Sequence, residues 1–274
     1  MKLPDKNRHS SEMIKEGYKN TEIGIIPEDW EVITIGNEID LLTGYPFPSN
    51  QYSSDGIKLL RGSNIKRGVI DWSNDLTQYW AFVTNELKKY ILEENDIVIA
   101  MDGSLVGESF GQIKSSDLPV LLLQRVARVR SNKINIHYLK ECICSIYFTK
   151  YCDKVKTTSA IPHISPTDIK NFTIPVPLLI LEQTAIATAL SDMDALIDAT
   201  EKLIAKKKAL KQGAMQKLLK PKEGWVEKTL GEIATFHKGK GLPKNDLVED
   251  GNVKCIHYGE LFLNYGEEIG CISP

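Results

Sequence analysis

A tryptophan-centred pattern occurs twice in this chain, 195 positions apart, and that period limits the folds open to it. IPEDWEVITIGNEI (26–39) is matched by PKEGWVEKTLGEI (221–233), with Trp30 opposite Trp225. The correspondence continues through Thr34, Ile35 and Gly36 against Thr229, Leu230 and Gly231, then Gly44 and Pro48 against Gly239 and Pro243. With a one-residue slip, DGIKLL (55–60) faces DGNVKCI (250–256). Solenoid repeats recur every 20 to 50 residues or so, and a period this long marks instead a duplicated whole domain joined by a connector. A second domain is therefore expected to open near Pro221 and to be incomplete at Pro274.

Between the two copies the chain reads as domain and then rod. Residues 1–20 are polar and helix-compatible, an N-terminal helical arm ahead of the first copy. Residues 21–177 carry strand-like runs at EVITI (31–35), IKLLR (57–61), DIVIAM (96–101) and VLLLQRVARVR (120–130), punctuated by Gly, Asp and Asn. Residues 135–154 read as a helix, with Tyr138, Cys142, Ser145 and Ile146 spaced along one face. The mixture predicts an α/β (mixed α+β) domain. IPVPLL (174–179) closes it with two prolines, and from 182 to 219 there is no proline and one glycine, Gly213. One helix of about 57 Å follows at 1.5 Å per residue, within a spacer over 178–220. Its apolar positions Ile186, Leu190, Met193, Ile197 and Ile204 follow a 3/4 spacing, and Leu196, Leu203 and Leu210 form an adjacent stripe. A double stripe predicts a partner helix. Lys202, Lys206, Lys207, Lys208 and Lys211 make the helix basic, as a solvated face or as phosphate contacts.

Composition excludes several classes. With 42% hydrophobic and 26% charged residues the chain has a globular balance. MKLPDKNRHSSEM lacks the apolar region of a secretion signal, and no run is long enough to span a bilayer, so a cytoplasmic protein without membrane contact is expected. Five cysteines without a C-x-x-C pair argue against a disulfide framework and a zinc site. Residues 21–177 hold 16 Lys and Arg against 19 Asp and Glu, a balance of −3, so binding to nucleic acid requires cations gathered on one face or a partner that neutralises phosphates. There is no P-loop, no Asn-Pro-Pro-aromatic or Asp-Pro-Pro-aromatic string and no acidic pair ahead of a Glu-x-Lys signature. DGSLVGES (102–109), which lacks the lysine of a phosphate loop, reads as a tight turn.

GYKNTEIGIIPEDWEVITIGNEI (17–39), IPHISPTDIKNFTIPVPLLILEQTAIATALSDMDALI (161–197), LIAKKKALKQGAMQKLL (203–219) and the return at Trp225 occur in that order. Together they resemble the specificity (S) subunits of type I restriction-modification systems. The resemblance implies a first target-recognition domain over 21–177, a conserved helical spacer over 178–220 that pairs as an antiparallel coiled coil, and an incomplete second recognition domain over 221–274. It also implies a non-catalytic subunit that reads a bipartite double-stranded DNA target. Modification (M) subunits would methylate adenine with S-adenosylmethionine, and restriction (R) subunits would cleave with ATP and Mg2+, so no cofactor is expected on this chain. With one full domain, a homodimer through the spacer would rebuild a symmetric reader. A coiled-coil interaction protein whose globular domain binds protein is the alternative, and a stand-alone methyltransferase ranks third.

Two loops carry the chemistry for DNA contact. Arg61, Ser63, Asn64, Lys66 and Arg67 follow a predicted strand, and Arg or Lys can contact guanine O6 and N7 while Asn can contact adenine N6 and N7. Lys156, Thr157, Thr158, Ser159 and His163 combine a cation, hydroxyls and a histidine suited to phosphate positioning, or form an ordinary Ser/Thr-rich loop. Gln124, Arg125, Arg128 and Arg130 rank lower, because strand alternation divides them between two faces. Trp72, Tyr79 and Trp80 could stack on bases, although core packing is the commoner use of such rings.

Overall fold

The structure, a computed structural model, describes residues 15–239, 241–243 and 247–248. The chain divides into two units, Met1–Lys207 and Lys208–Pro274. The first unit begins with β1 (Tyr18–Thr21), β2 (Gly24–Pro27), β3 (Trp30–Thr34), β4 (Asp40–Thr43), β5 (Ile57–Leu60), β6 (Ile65–Lys66), β7 (Val69–Ile70) and β8 (Gln78–Trp80). It continues with β9 (Ile97–Ala100), β10 (Phe110–Gln112), β11 (Val120–Leu122) and β12 (Val126–Arg130). Three helices follow, α1 (Ile136–Ile143), α2 (Ile146–Val155) and α3 (Pro166–Lys170), then β13 (Thr173–Pro177) and the start of α4 (Ile180–Leu218). In the second unit the described residues include α5 (Leu230–Ile233).

A four-stranded sheet in the order β10-β9-β12-β4 lies at the centre of the first unit. Ile97 and Ile99 of β9 pack with Leu139, Phe148 and Ile169 of the helices, while Val98 and Ala100 pack with Leu60 and Leu122 of β5 and β11. Both faces of β9 are therefore dry, which is why its sequence is an unbroken apolar run rather than an alternation. On the other side of the β11-β5-β8 sheet, Phe47, Leu59, Leu87 and Leu121 form a further cluster that Trp80 packs against, its ring 4.8 Å from that of Phe47. Trp72 donates to Asp117 at 2.8 Å and carries Lys58 over its ring at 4.6 Å. These two tryptophans belong to the packing of the domain.

The expected mixed α/β domain and long helix are present, and the differences have local causes. VLLLQRVARVR is two strands, broken at residues 123–125 where Arg125 adopts φ +78°. The helix expected over 135–154 is also two, because the Ser145 hydroxyl accepts from the Phe148 N–H and caps a new start. Tyr18–Thr21 pairs with Gly24–Pro27 as a hairpin, so the end of the expected helical arm is strand, and residues 1–14 lie outside the described residues. DGSLVGES is a turn. Gly107 sits there at φ +85° with space for no side chain, since a Cβ would fall 2.7 Å from that of Cys152 on α2.

The helix α4 covers 39 residues, and its first turns are fastened to the domain. Trp30 Nε1 donates to Glu182 Oε1 at 3.0 Å. Gln183, 3% exposed, donates to the Pro177 carbonyl at 2.8 Å and accepts from the Asn135 N–H at 2.9 Å. Beside them β3 and β13 run antiparallel, with Trp30 opposite Pro177. The division between units falls at Lys207, inside α4. Trp225 to Thr229, the copy of β3, forms no ladder among the described residues, and Leu230–Ile233 is helical where the first copy has a 3-10 turn at Ile35–Asn37. Much of the expected second recognition domain, residues 249–274, lies outside the described residues.

Candidate nucleic-acid interface

Three loops meet around an open concavity of about 410 Å³ at one end of the central sheets. The first follows β5, and its polar lining side chains are Arg61, Ser63 and Lys66. The second is the turn after β9, which contributes Asp102 and Ser104. The third joins β11 to β12 and contributes Gln124 and Arg125, both exposed. The lining holds three cations, Arg61, Lys66 and Arg125, against the single carboxylate of Asp102. Cations are thus gathered here although the domain as a whole is acidic, and such a patch attracts phosphate more strongly than net charge suggests.

Asn64 has a different role from the one expected of it. Its side chain is fully buried: Oδ1 accepts from the Arg61 N–H at 3.1 Å, and Nδ2 donates to the Asp71 carbonyl at 2.9 Å. That amide holds the 61–67 loop in shape and is not presented to a ligand. Arg67 is exposed but lies in an ion pair with Glu108. Arg61 is half-buried, and Ser63 and Lys66 are exposed.

The loop of Lys156, Thr157, Thr158, Ser159 and His163 does not line the concavity, but its backbone is tied to the rim. His163 bridges Asp102, the Gly103 N–H donates to the Pro162 carbonyl at 3.0 Å, and the Ile164 N–H donates to Met101 at 2.9 Å. Two of its hydroxyls are used internally. Thr157 Oγ1 accepts from the His163 N–H at 3.0 Å, and Ser159 Oγ donates to the Ile161 carbonyl at 2.6 Å. Lys156 pairs with Asp153 at 2.6 Å, and Thr158 is exposed. The His163 imidazole has a buried Nδ1 without a hydrogen-bond partner among the described residues.

Of the lower-ranked residues, Arg128 and Arg130 serve the sheet. Arg128 is buried and pairs with Asp40 at 2.6 Å, while Arg130 pairs with Asp96 and with Glu93 at 3.0 Å. Gln124 and Arg125 reach the rim because the strand ends before them. Sequence reasoning undervalued this pair, and the one signal available was the interruption of an apolar run by two long polar side chains. Asp102 and Ser104 lie in a tight turn whose sequence carries no sign of the rim they join. Among the described residues, no group of three or more His, Cys, Asp and Glu side chains could hold a metal ion, and no helix is long and apolar enough to cross a membrane.

A second surface runs along α4. Leu190, Met193, Leu196, Ile197, Leu203, Ile204 and Leu210 are all exposed, half or more in most cases. Ile186 instead packs against the domain core and leaves the expected seam.

The profile of the type I restriction modification DNA specificity domain matches residues 27–209, which runs from the Trp30 strand through most of α4. The chain belongs to that family. It is 35% identical over 182 residues to the type I restriction enzyme EcoAI specificity subunit of Escherichia coli, covering 65% of this chain and 30% of that protein. It is 32% identical over 191 residues to the MjaVIII specificity subunit of Methanocaldococcus jannaschii, covering 68% and 44%. The chain thus spans less than half the length of these relatives. The fold is shared with the crystal structure of the type I S subunit from M. genitalium, with a TM-score of 0.52, 20% identity and coverage of 82% and 58%. It is shared also with the HsdS subunit from Thermoanaerobacter tengcongensis, with a TM-score of 0.50, 18% identity and coverage of 74% and 47%.

Proposed function

We propose that this chain is the DNA-reading and scaffolding part of a type I restriction-modification complex, and that it performs no chemistry itself. The observation that carries the reading is the cation-lined concavity on a domain of the specificity family. The domain recognises one part of a bipartite double-stranded DNA target. The exposed apolar face of α4 takes a partner helix, from a second copy or a second spacer, and serves as the platform for modification subunits. Modification subunits supply adenine methylation with S-adenosylmethionine, and restriction subunits supply ATP- and Mg2+-dependent cleavage, in the cytoplasm beside the nucleoid. Two copies joined through α4 would read a symmetric site, since the rod fixes half-site separation as dimer geometry does in other DNA readers.

Methylome sequencing of cells expressing the chain with its modification subunit tests this. A new methylated-adenine motif is the expected result, and a palindromic motif would place two copies on the DNA. The acidic balance of the domain favours a second reading, an interaction module whose globular part binds protein. DNA binding indifferent to sequence in the assembled complex, with no new methylation, would favour that module.

A further inference from the structure

We propose that Gln124 and Arg125 are the base-reading pair of the recognition domain, Arg125 on a guanine and Gln124 on the neighbouring adenine. The inference rests on the DNA-reading role above and adds which side chains discriminate and between which bases.

The turn that carries the pair is held from three directions. The Leu123 N–H donates to the Leu60 carbonyl at 3.1 Å, the Gln124 N–H to the Tyr45 carbonyl at 2.9 Å, and the Arg125 carbonyl accepts from the Met101 N–H at 2.9 Å. Gly44 backs the turn so closely that a Cβ there would lie 2.2 Å from the Leu123 carbonyl. The backbone is thus fixed by neighbouring elements while both side chains point outward, the arrangement that specific recognition needs. Arg125 holds φ +78°, a left-handed conformation unfavourable for a non-glycine residue that the surrounding bonds must maintain.

The side chains carry the geometry for base edges. Gln is neutral and matches adenine N6 and N7 with two hydrogen bonds, and Arg matches guanine O6 and N7 in the same way. Asp102 Oδ2 lies 3.7 Å from Arg125 Nε. A carboxylate there repels a phosphate, draws one edge of the guanidinium and leaves the terminal amino groups to span a base edge, so Asp102 is a positioning residue. Adjacent residues stand about 3.8 Å apart along the chain, close to the spacing of about 3.4 Å between bases in one strand. Two adjacent side chains exposed on one rim are therefore within reach of neighbouring base pairs. Lys66 and Ser63, exposed on the same rim, are placed for the phosphates beside them.

The test is selection from a randomised duplex pool by the full chain with its modification subunit, comparing wild type, Gln124→Ala, Arg125→Lys and Asp102→Asn. Arg125→Lys keeps the charge but loses the planar fork. It should lose preference at one G·C pair by roughly tenfold or more, with an unchanged salt slope. Gln124→Ala should lose preference at the adjoining A·T pair, and Asp102→Asn should relax the Arg125 position while leaving the Gln124 position intact. A wild-type site lacking adjacent guanine and adenine overturns the inference, as does an Arg125→Lys selection identical to wild type. Uniform loss across all sequences overturns it too, making the pair phosphate contacts. A wild-type chain that selects no site overturns the DNA-reading role itself, which separates the two failures.

Discussion

Gly44 shows how a residue with no side chain can govern the candidate site. Gly44→Ala would drive its methyl into the Leu123 carbonyl, so the turn bearing Gln124 and Arg125 must shift. A loss on the order of 2 kcal/mol is expected, read as a lower urea midpoint, together with weakened sequence selection. A second prediction concerns the thiols. Burial pushes Cys142, Cys144 and Cys152 up from 9.0 to about 12, because the helix core disfavours a thiolate. The native state then holds these protons more tightly than the unfolded chain, so their contribution is complete below about pH 9 and falls as pH rises toward 12. Burial raises Tyr138 as well, which acts in the same direction. Urea midpoints should fall steadily above pH 9, and alkylation of Cys152, which is buried, should require unfolding at pH 8. Sequence alone could not separate Asn64 from Gln124, since both are amides with an arginine within three residues. Only the packing around β5 shows that one is buried and bonded while the other is exposed.

At the scale of elements, a chemical pattern announced itself where it was local and stayed hidden where it was not. The helix expected over 182–219 is observed as Ile180–Leu218, because a stretch this long with no proline and a single glycine, Gly213, leaves few alternatives. The break at Ser145 was legible in principle, as a hydroxyl three residues ahead of an apolar position that it caps. The break at Arg125 was not, for no glycine, proline or asparagine marks that left-handed turn, and bonds from distant elements impose it. Along α4, replacing Met193 and Ile197 together with Glu places two charges on the exposed apolar face. Light scattering and pull-down should then show loss of self-association or of modification-subunit binding, with the circular dichroism of the first domain unchanged. An unchanged mass and an unchanged pull-down would remove the partner helix.

For the whole molecule, the acidic balance of the domain and the cationic rim predict a division of labour. The chain alone should bind duplex DNA weakly, with log K falling gently with log salt, because few phosphates are neutralised. In the complex with its modification subunit the slope should steepen by several units while the selected sequence is set by this chain. Fluorescence anisotropy at two or three salt concentrations would read both quantities, and equal slopes would mean that the partner adds no phosphate contacts.

The chain comes into the recognition domain through Trp30 and leaves it through Pro177, and these two residues face each other across the β3–β13 ribbon. Both are fastened at the head of α4, Trp30 through Glu182 and Pro177 through Gln183. Everything that touches the concavity hangs between the two strands of that stem. A domain whose ends lie side by side on a fixed support can be exchanged without disturbing what holds it. The stem has the form of a socket: a different body of loops could be fitted into it while the head of α4 and its attachments stay as they are.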